Sequence, residues 1–263
     1  MKILNLSDLH RQENKKMPIV QQQAWIDQML KRFEPDLIII TGDVFESDNY
    51  YHDIKTGQFN FNPYATLHEV FHGIPVICTL GNHEFFHLSV KEVMDYYKAV
   101  YNPGLWDVHY LDIVHSIDVE GFTFFGNVLW YDGSMSTVPN QDIWDFAKGR
   151  WMDKSIVKFN WKKENAECVK KILDVKTDKK KILCTHCVPH WRLNGHITDD
   201  DYTNKNDLYN AYSGMNNLLE LVHPYYAFSG HTHLRRTMEI DGCNCVNCGN
   251  DYYPPFQYYQ AEI

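Results

Sequence analysis

Five short apolar runs recur along this chain of 263 residues, and a polar cluster follows each of them. The runs span residues 3–6, 37–40, 76–80, 182–184 and 225–228, and most of them are rich in Ile, Leu and Val. Near-continuous apolar runs of this length are typical of strands that are buried on both faces of a sheet. The chain is therefore predicted to fold around buried strands.

Segments with helical periodicity separate these runs. Apolar residues recur at helical spacing in residues 25–33, 90–101, 161–173 and 215–222. Pro35 and the pair Pro103-Gly104 follow the first two segments and are expected to end those helices. Strands that alternate with helices predict an α/β fold with a largely parallel sheet.

Two further segments, residues 108–126 and 234–263, consist of short alternating stretches that glycine interrupts. Glu120-Gly121 and Asp241-Gly242 each lie between apolar residues, as expected for two-residue hairpin turns. We predict that these segments form antiparallel strands of a second sheet. The predicted fold class is therefore α/β, a four-layer α-β-β-α sandwich with two mixed sheets.

We interpret residues 1–263 as a single domain with two insertions, at about residues 45–63 and 131–160. Both insertions are polar and aromatic with little periodicity, and the second carries Trp144 and Trp151. Loops of this length in a compact domain are usually functional or mobile. Two interpretations stay open: aromatic side chains that pack the loops onto the domain, or a lid over a substrate.

The polar clusters that follow the apolar runs carry side chains able to bind metal ions. They are Ser7-Asp8-Leu9-His10, Thr41-Gly42-Asp43, Gly81-Asn82-His83-Glu84, Thr185-His186 and Ser229-Gly230-His231-Thr232-His233. The carboxyl ends of the strands form the ligand crevice in open α/β sheets, so these clusters are expected to converge. Their carboxylate, imidazole and amide groups suit Mn²⁺, Fe or Zn²⁺ better than a thiolate site would.

The five clusters, in this order, resemble the motifs of the calcineurin-like metallophosphoesterases. The resemblance covers about residues 1–250, and no motif is missing. It implies a dinuclear-metal-dependent hydrolase that cleaves phosphoester bonds by attack of a metal-bridging hydroxide. The two divalent metal ions are expected to be Mn²⁺, with Fe, Zn²⁺ or Ni²⁺ as alternatives.

The resemblance also implies which residues bind the metal ions. The implied ligands are Asp8, His10 and His233 for the first ion, Asn82, His186 and His231 for the second, and Asp43 for both. His83 stands free of the metal ions and is the predicted catalytic general acid, or charge stabiliser, at the leaving oxygen. Asn82 is a neutral ligand, which leaves the centre with a positive charge that attracts an anionic phosphate.

A carboxylate is needed to orient the His83 ring. In the protein-phosphatase branch of the family, this acid stands three residues after the shared Asp, a position that Glu46 occupies here. Glu46 is therefore the second predicted catalytic residue, with Glu84 and Asp48 as rivals. The alternative interpretation of Glu46 is an exposed acid in a loop.

Arginines near the motifs are candidates for substrate binding. Arg11 and Arg192 are the predicted substrate-binding side chains, and a surface position is the alternative for each. The protein-phosphatase branch carries Arg-Gly directly after the acid, whereas Ser47-Asp48 follow Glu46 here. A dianionic monoester benefits more from a bidentate Arg than a diester does. The sequence thus favours a small phosphodiester or phosphomonoester, such as a nucleotide, over a phosphoprotein, with a weak preference for the diester.

The formal net charge of −9 results from 25 basic and 34 acidic residues. An extended nucleic-acid surface needs clustered Lys and Arg, so this balance argues against the alternative of a nuclease acting on DNA or RNA ends. A second alternative is a non-catalytic protein-binding scaffold, but every ligand position is filled. The expected partner is a small phosphorylated substrate, and the oligomeric state stays open.

No apolar run approaches the ~20 residues that span a bilayer, and no signal peptide or membrane partner is expected. Most of the seven cysteines lie in apolar stretches, which favours reduced thiols and a cytoplasmic location. Cys243, Cys245 and Cys248 are open to two interpretations, a zinc clip or a buried strand. The missing fourth ligand favours the strand.

Overall fold

All five apolar runs form strands in the computed structural model, which describes residues 1–11, 18–136, 152–194, 210–250 and 257–263 of the chain. The strands are β1 (Lys2–Leu6), β2 (Leu37–Thr41), β3 (Val76–Thr79), β4 (Val108–Tyr110), β5 (Ser116–Val119), β6 (Phe122–Asn127), β7 (Lys180–Thr185), β8 (Tyr226–Ser229), β9 (Arg235–Ile240), β10 (Cys243–Cys248) and β11 (Tyr259–Glu262). Every residue of β2 is buried. Burial on both faces explains why its sequence is apolar throughout rather than alternating.

Helices lie between the strands, as the periodicity predicts. They are α1 (Ile19–Phe33), α2 (Asp48–Thr56), α3 (Pro63–Val70), α4 (Val90–Val100), α5 (Leu111–Val114), α6 (Trp161–Asp174) and α7 (Leu218–Val222). Helix α4 begins at a capping box, in which Ser89 and Glu92 each accept a hydrogen bond from the other's backbone N–H. None of the described helices is both long enough and apolar enough to cross a membrane.

Both sheets are mixed, as predicted. The first has the strand order β11-β1-β2-β3-β4 and the second has the order β5-β6-β7-β8-β10-β9. Parallel strands form the interior of each sheet, and β11, β5 and β9 add antiparallel edges. The two predicted hairpin turns are present, because Val119 pairs with Phe122 and Ile240 pairs with Cys243.

Alternate side chains of the strands enter different cores, which creates four layers. Ile39 of β2 and Ile182 of β7 belong to the core between the two sheets. Ile38 and Ile40 belong to an outer core shared with α1, α3 and α4. Leu183 of β7 belongs to a second outer core, shared with α6 and α7. The order helix, sheet, sheet, helix confirms the α-β-β-α sandwich.

The division of strands between the two sheets differs from the prediction. Strands β4 and β11 lie in segments for which the pattern predicts the second sheet, yet both belong to the first. Strand β11 pairs with β1 from Lys2 to Asn5, so it covers an edge that β1 would otherwise expose. Conversely, β7 and β8 belong to the second sheet. These pairings join distant parts of the chain, and local patterns carry no information about them.

The first insertion contains helix α2, although its sequence shows little periodicity. Residues Asp48–Thr56 form α2, and α3 begins at Pro63 after the side-chain cap of Asn62. Tyr50 is fully buried and stacks on Tyr96 of α4 with 5.1 Å between the ring centroids. The aromatic side chains of the first insertion therefore pack it onto the domain. In the second insertion, residues 137–151, with Trp144 and Trp151, lie outside the described residues.

The cysteines near the end of the chain lie in one strand, β10 (Cys243–Cys248). Cys243, Cys245 and Cys248 are buried free thiols. No group of potential metal ligands in the described ranges includes any of them. The position of the three cysteines in β10 confirms the strand interpretation.

Candidate metal centre

The five polar clusters converge where the parallel strands end. Three clusters follow β1, β2 and β3 of the first sheet, and two follow β7 and β8 of the second. One ligand atom from each of Asp8, His10, Asp43 and His233 lies within 4.8 Å of the other three. Asp8 Oδ1 is 3.5 Å from His233 Nε2, and Asp43 Oδ2 is 3.9 Å from His10 Nε2. The structure thus brings together the side chains predicted around the first metal ion.

The remaining predicted ligands form a second group beside the first. Asn82 Oδ1 lies 3.0 Å from His186 Nε2 and 3.2 Å from His231 Nδ1, and these two ring nitrogens are 3.2 Å apart. Asp43 Oδ2 lies 3.3 Å from His186 Nε2. Asp43 therefore borders both groups, the position that a shared carboxylate requires.

Backbone carbonyls fix the tautomers of the two histidines in the second group. His186 Nδ1 lies 2.8 Å from the carbonyl oxygen of Thr41, and His231 Nε2 lies 2.7 Å from that of Tyr212. A carbonyl oxygen only accepts, so each ring donates there, and its other nitrogen, which faces Asn82 Oδ1, offers a lone pair whenever it carries no proton. Three such atoms at 3.0–3.2 Å repel one another unless a proton or a metal cation lies between them. This donor set therefore fits a divalent cation.

The electrostatics of the centre favour positive charge at the same place. Burial opposes the charged form of His186, but the Asp43 carboxylate outweighs burial and raises the pKa of His186 to about 9. Burial and the charge of His186 lower the pKa of His231 to about 4. Although burial favours the neutral acid, the charges of His186 and His83 hold the pKa of Asp43 well below its ordinary value. Asp43 is therefore an anion in this setting.

A single buried carboxylate, Glu46, contacts two of the histidines. Its Oε1 lies 2.9 Å from Nδ1 of both His10 and His83, and its Oε2 lies 2.8 Å from His83 Nδ1. Burial disfavours the His83 imidazolium, but Asp43 and Glu46 outweigh burial and raise the pKa of His83 to about 10. The His83 side chain is 16% exposed, against 1% for His10. His83 is thus the histidine of this pair that solvent can reach.

The two rival carboxylates occupy other positions. Glu84 is fully buried and accepts hydrogen bonds from the backbone N–H groups of Val44, Phe45 and Gly81, so it ties the β2 and β3 turns together. Burial and the Asp43 charge raise the pKa of Glu84 to about 8. Asp48 is exposed at the start of α2. Glu46 is 3% exposed, so the alternative of an exposed loop acid is wrong.

Five of the seven predicted metal ligands have a left-handed backbone conformation. They are Asp8, His10, Asp43, His231 and His233, with φ between 42° and 70°. Non-glycine residues in this region carry a cost of order 1–3 kcal/mol each, and such strain is concentrated at functional sites. Hydrogen bonds between neighbouring turns offset this cost. One of them, 3.1 Å long, runs from the Asp8 N–H to the Gly42 carbonyl oxygen. No sequence pattern marks this strain in advance.

Gly81 permits the closest approach between two of the turns. A Cβ atom at this position would lie 2.0 Å from Asp43 Oδ1 and 2.4 Å from the Asp43 backbone nitrogen. Real Cβ atoms do not approach other atoms so closely, so any side chain here would displace the shared carboxylate. The need for glycine in this motif therefore arises from packing against Asp43.

The two predicted substrate-binding arginines lie at different places. Arg11 is 8% exposed, and its Nη2 lies 3.4 Å from Gln23 Oε1 of α1. Burial lowers the pKa of Arg11 to about 10. Arg192 is exposed, and its backbone carbonyl accepts a hydrogen bond from Arg236. No Arg side chain forms an ion pair with a carboxylate anywhere in the part of the chain that the structure describes. Substrate binding by either arginine stays a prediction.

A comparison with models of protein families identifies the family of this chain. The model of the calcineurin-like phosphoesterases matches residues 1–235, most of the chain. The chain belongs to this family. It is a metal-dependent phosphoesterase, which confirms the resemblance that its motifs indicate.

Solved structures with the same fold are distant in sequence from this phosphoesterase. The phosphopantetheinyl hydrolase of Mycobacterium tuberculosis is 16% identical, with a TM-score of 0.66 over 99% of this chain and 95% of that one. A dimetal phosphatase from Danio rerio is 10% identical, with a TM-score of 0.54 over 99% and 91% of the two chains. No curated protein sequence matches this phosphoesterase. At these identities the likeness extends to the fold alone.

Proposed function

We propose that this phosphoesterase hydrolyses a small phosphodiester with the help of two divalent cations, for which Mn²⁺ is the first choice. The observation that carries the proposal is the position of Asp43 between two adjoining groups of ligand atoms. When bound, the two cations would activate water as a nucleophile and neutralise charge on the phosphoryl oxygens. Nitrogen and oxygen donors without thiolates suit Mn²⁺.

His83 is proposed to give a proton to the leaving oxygen. Glu46 binds Nδ1 of His83, which leaves Nε2 as the nitrogen that faces the ligand groups, 3.9 Å from Asp43 Oδ2. A ring held in this way keeps one orientation and one proton position while the substrate enters. A positioned general acid contributes about 10²–10⁴-fold to a rate.

The charge around the centre favours a singly charged diester over a dianionic monoester. Ser47 and the exposed Asp48 follow Glu46, and Asp48 adds negative charge near the start of α2. The guanidinium of Arg11 is directed to Gln23 rather than to a predicted metal ligand. A diester carries less charge than a monoester and depends less on a bidentate Arg.

Paired variants test the proposed mechanism on a chromogenic diester and the matching monoester, with Mn²⁺ present. Asp43→Ala is expected to lose Mn²⁺ binding and activity together, because it removes the carboxylate that both ligand groups share. His83→Ala is expected to keep its Mn²⁺ and lose about 10²–10⁴-fold in kcat. The wild-type protein is expected to prefer the diester.

Asp178→Ala is the control for these variants, because Asp178 is exposed and lies outside the ligand groups. It is expected to match wild type in Mn²⁺ binding and rate. Full turnover by Asp43→Ala would contradict the shared carboxylate. A His83→Ala variant as fast as wild type would show that His83 does not transfer the proton. A preference for the monoester would overturn the proposed substrate class.

A further inference from the structure

Asp153 is a buried carboxylate beside the second ligand group, and it belongs to none of the five polar clusters. It lies in a 3-10 turn, Met152–Ser155, within the predicted second insertion, and it is 1% exposed. Its Oδ1 accepts a hydrogen bond of 2.9 Å from Asn82 Nδ2. We infer that Asp153 is a positioning residue that turns the Asn82 amide oxygen toward the second cation. This inference rests on the two-cation centre proposed above.

The orientation of the Asn82 amide decides whether the second group can hold a cation. Its Oδ1 can bind a cation, whereas Nδ2 carries two hydrogens and cannot. If the amide rotated by half a turn, Nδ2 would face the lone pairs of His186 and His231, 3.0–3.2 Å away. Its hydrogens would then satisfy those lone pairs and close the site. Asp153 opposes this rotation, because its Oδ1 accepts the hydrogen bond from Nδ2, whereas the rotated amide would turn its own oxygen, which has no hydrogen to donate, toward Asp153 Oδ1.

A pair of buried tyrosines holds Asp153 and the second ligand group together. The hydroxyl of Tyr131, which is 3% exposed, lies near the Asp153 carboxyl group, and burial together with Asp153 raises the pKa of Tyr131 well above its ordinary value. The Tyr131 ring packs edge to face on Tyr212, with 4.9 Å between centroids. The backbone carbonyl of Tyr212 in turn accepts from His231 Nε2. This tyrosine pair therefore lies beside groups that orient two predicted ligands of the second cation, Asn82 and His231.

The hydrogen bond to Asp153 also affects the charge distribution within the Asn82 amide. A carboxylate hydrogen-bonded to Nδ2 polarises the amide and places more negative charge on Oδ1, an effect that burial strengthens. Asn82 itself stays neutral, so the ligand groups keep their positive balance once cations bind. Asp153 thus strengthens cation binding by the neutral Asn82 oxygen without being a ligand itself.

Titration with Mn²⁺ alone tests the inference, with free Mn²⁺ measured by its EPR signal. Asp153→Leu removes the acceptor, and we expect one of the two Mn²⁺ dissociation constants to rise by about 10- to 100-fold. The other constant is expected to stay close to its wild-type value. Asp153→Asn keeps an acceptor oxygen of the same reach but a weaker one, so its affected constant is expected to rise much less than that of Asp153→Leu.

The EPR spectrum of the bound ions provides a second measurement that does not depend on activity. Two Mn²⁺ ions in a shared centre lie roughly 3.5–4 Å apart and couple magnetically. Asp153→Leu is expected to replace this coupled spectrum with that of single ions at Mn²⁺ concentrations that saturate wild type. Tyr131→Phe is a milder variant, which removes only the hydroxyl near Asp153, and it is expected to weaken the same site by less.

Asp53→Leu is the matched control, because Asp53 is a carboxylate of similar exposure, 5%, that accepts from the backbone N–H groups of Asn60 and Phe61. It is expected to lower Tm without selective loss of one ion. Two results would overturn the inference: Asp153→Leu binds both ions as wild type does, or it loses both equally. Asp153→Asn behaving like Asp153→Leu would also contradict the proposed orientation. A wild-type protein that binds fewer than two Mn²⁺ overturns the proposed function itself, before any variant is compared.

Discussion

Glu46 contacts both a predicted metal ligand and the predicted general acid through a single carboxylate. It accepts from Nδ1 of His10, a predicted metal ligand, and from Nδ1 of His83, the predicted general acid. Although burial raises the pKa of Glu46, the hydrogen bonds from these two rings lower it below its ordinary value. Glu46 is therefore ionised and orients both imidazoles at once.

Removal of the Glu46 charge is expected to move the pH dependence of the rate. The carboxylate stabilises the protonated form of His83, so Glu46→Gln lowers the pKa of His83. His83 acts as a general acid only while it is protonated. The alkaline limb of the kcat profile is therefore expected to shift to lower pH, together with a lower kcat at the optimum.

Glu239→Gln is the control for this pH profile, because Glu239 is an exposed residue of β9. Its alkaline limb is expected to coincide with that of wild type. A Glu46→Gln profile with an unmoved or more alkaline limb would show that Glu46 does not act on the proton of His83.

The turns that follow the parallel strands are the elements that form the centre. They pack on one another so closely that the β3 turn has no room for a side chain at Gly81. Glu84 adds hydrogen bonds from the β3 turn to the backbone of the β2 turn. The turns therefore act as one unit, in which a change in one turn displaces ligands of another.

Gly81→Ala is expected to abolish detectable Mn²⁺ binding and activity while the protein stays folded. The new Cβ would lie 2.0 Å from Asp43 Oδ1, so the shared carboxylate has to move. Gly104→Ala is the matched control, since the nearest atom to its new Cβ is Asn102 Oδ1 at 3.8 Å. Binding of Mn²⁺ and the rate of diester hydrolysis provide the measurement. Wild-type binding by Gly81→Ala would contradict the close packing of these turns.

The sequence predicts these turns well, because the pattern that identifies each turn lies within a few consecutive residues. Each apolar run identifies a strand, and the residues after each run identify the side chains at its end. Asp153 escapes prediction, because its contact with Asn82 joins residues 71 positions apart in sequence. The placement of β11 beside β1 escapes it for the same reason. In contrast, Glu46 is identified only through the family resemblance, since its own neighbours do not mark it.

At the level of the whole molecule, the predicted ligands join the two sheets of the sandwich. Asp8, Asp43 and Asn82 follow strands of the first sheet, whereas His186 and His231 follow strands of the second. Cations held between these groups would connect the two sheets across the inner core. Because the unfolded chain has no such cage, cation binding stabilises the folded state selectively.

Mn²⁺ is therefore expected to raise the Tm of this protein, and a chelator is expected to reverse the increase. Free Mn²⁺ at about 100 times its Kd contributes about 2.7 kcal/mol per site, which corresponds to several degrees in Tm for a chain of this size. Asp43→Ala is expected to show no Mn²⁺-dependent increase, whereas Asp178→Ala is expected to respond as wild type does. An equal increase in Tm for Asp43→Ala would place the stabilising ions elsewhere.

The most direct measurement is a crystal structure of the protein with Mn²⁺, in which anomalous scattering locates each ion. Two peaks are predicted, one among Asp8, His10 and His233 and the other among Asn82, His186 and His231. Both ions are predicted to contact Asp43. A single ion, or two ions that do not share Asp43, would contradict the central claim that these turns form one two-cation centre.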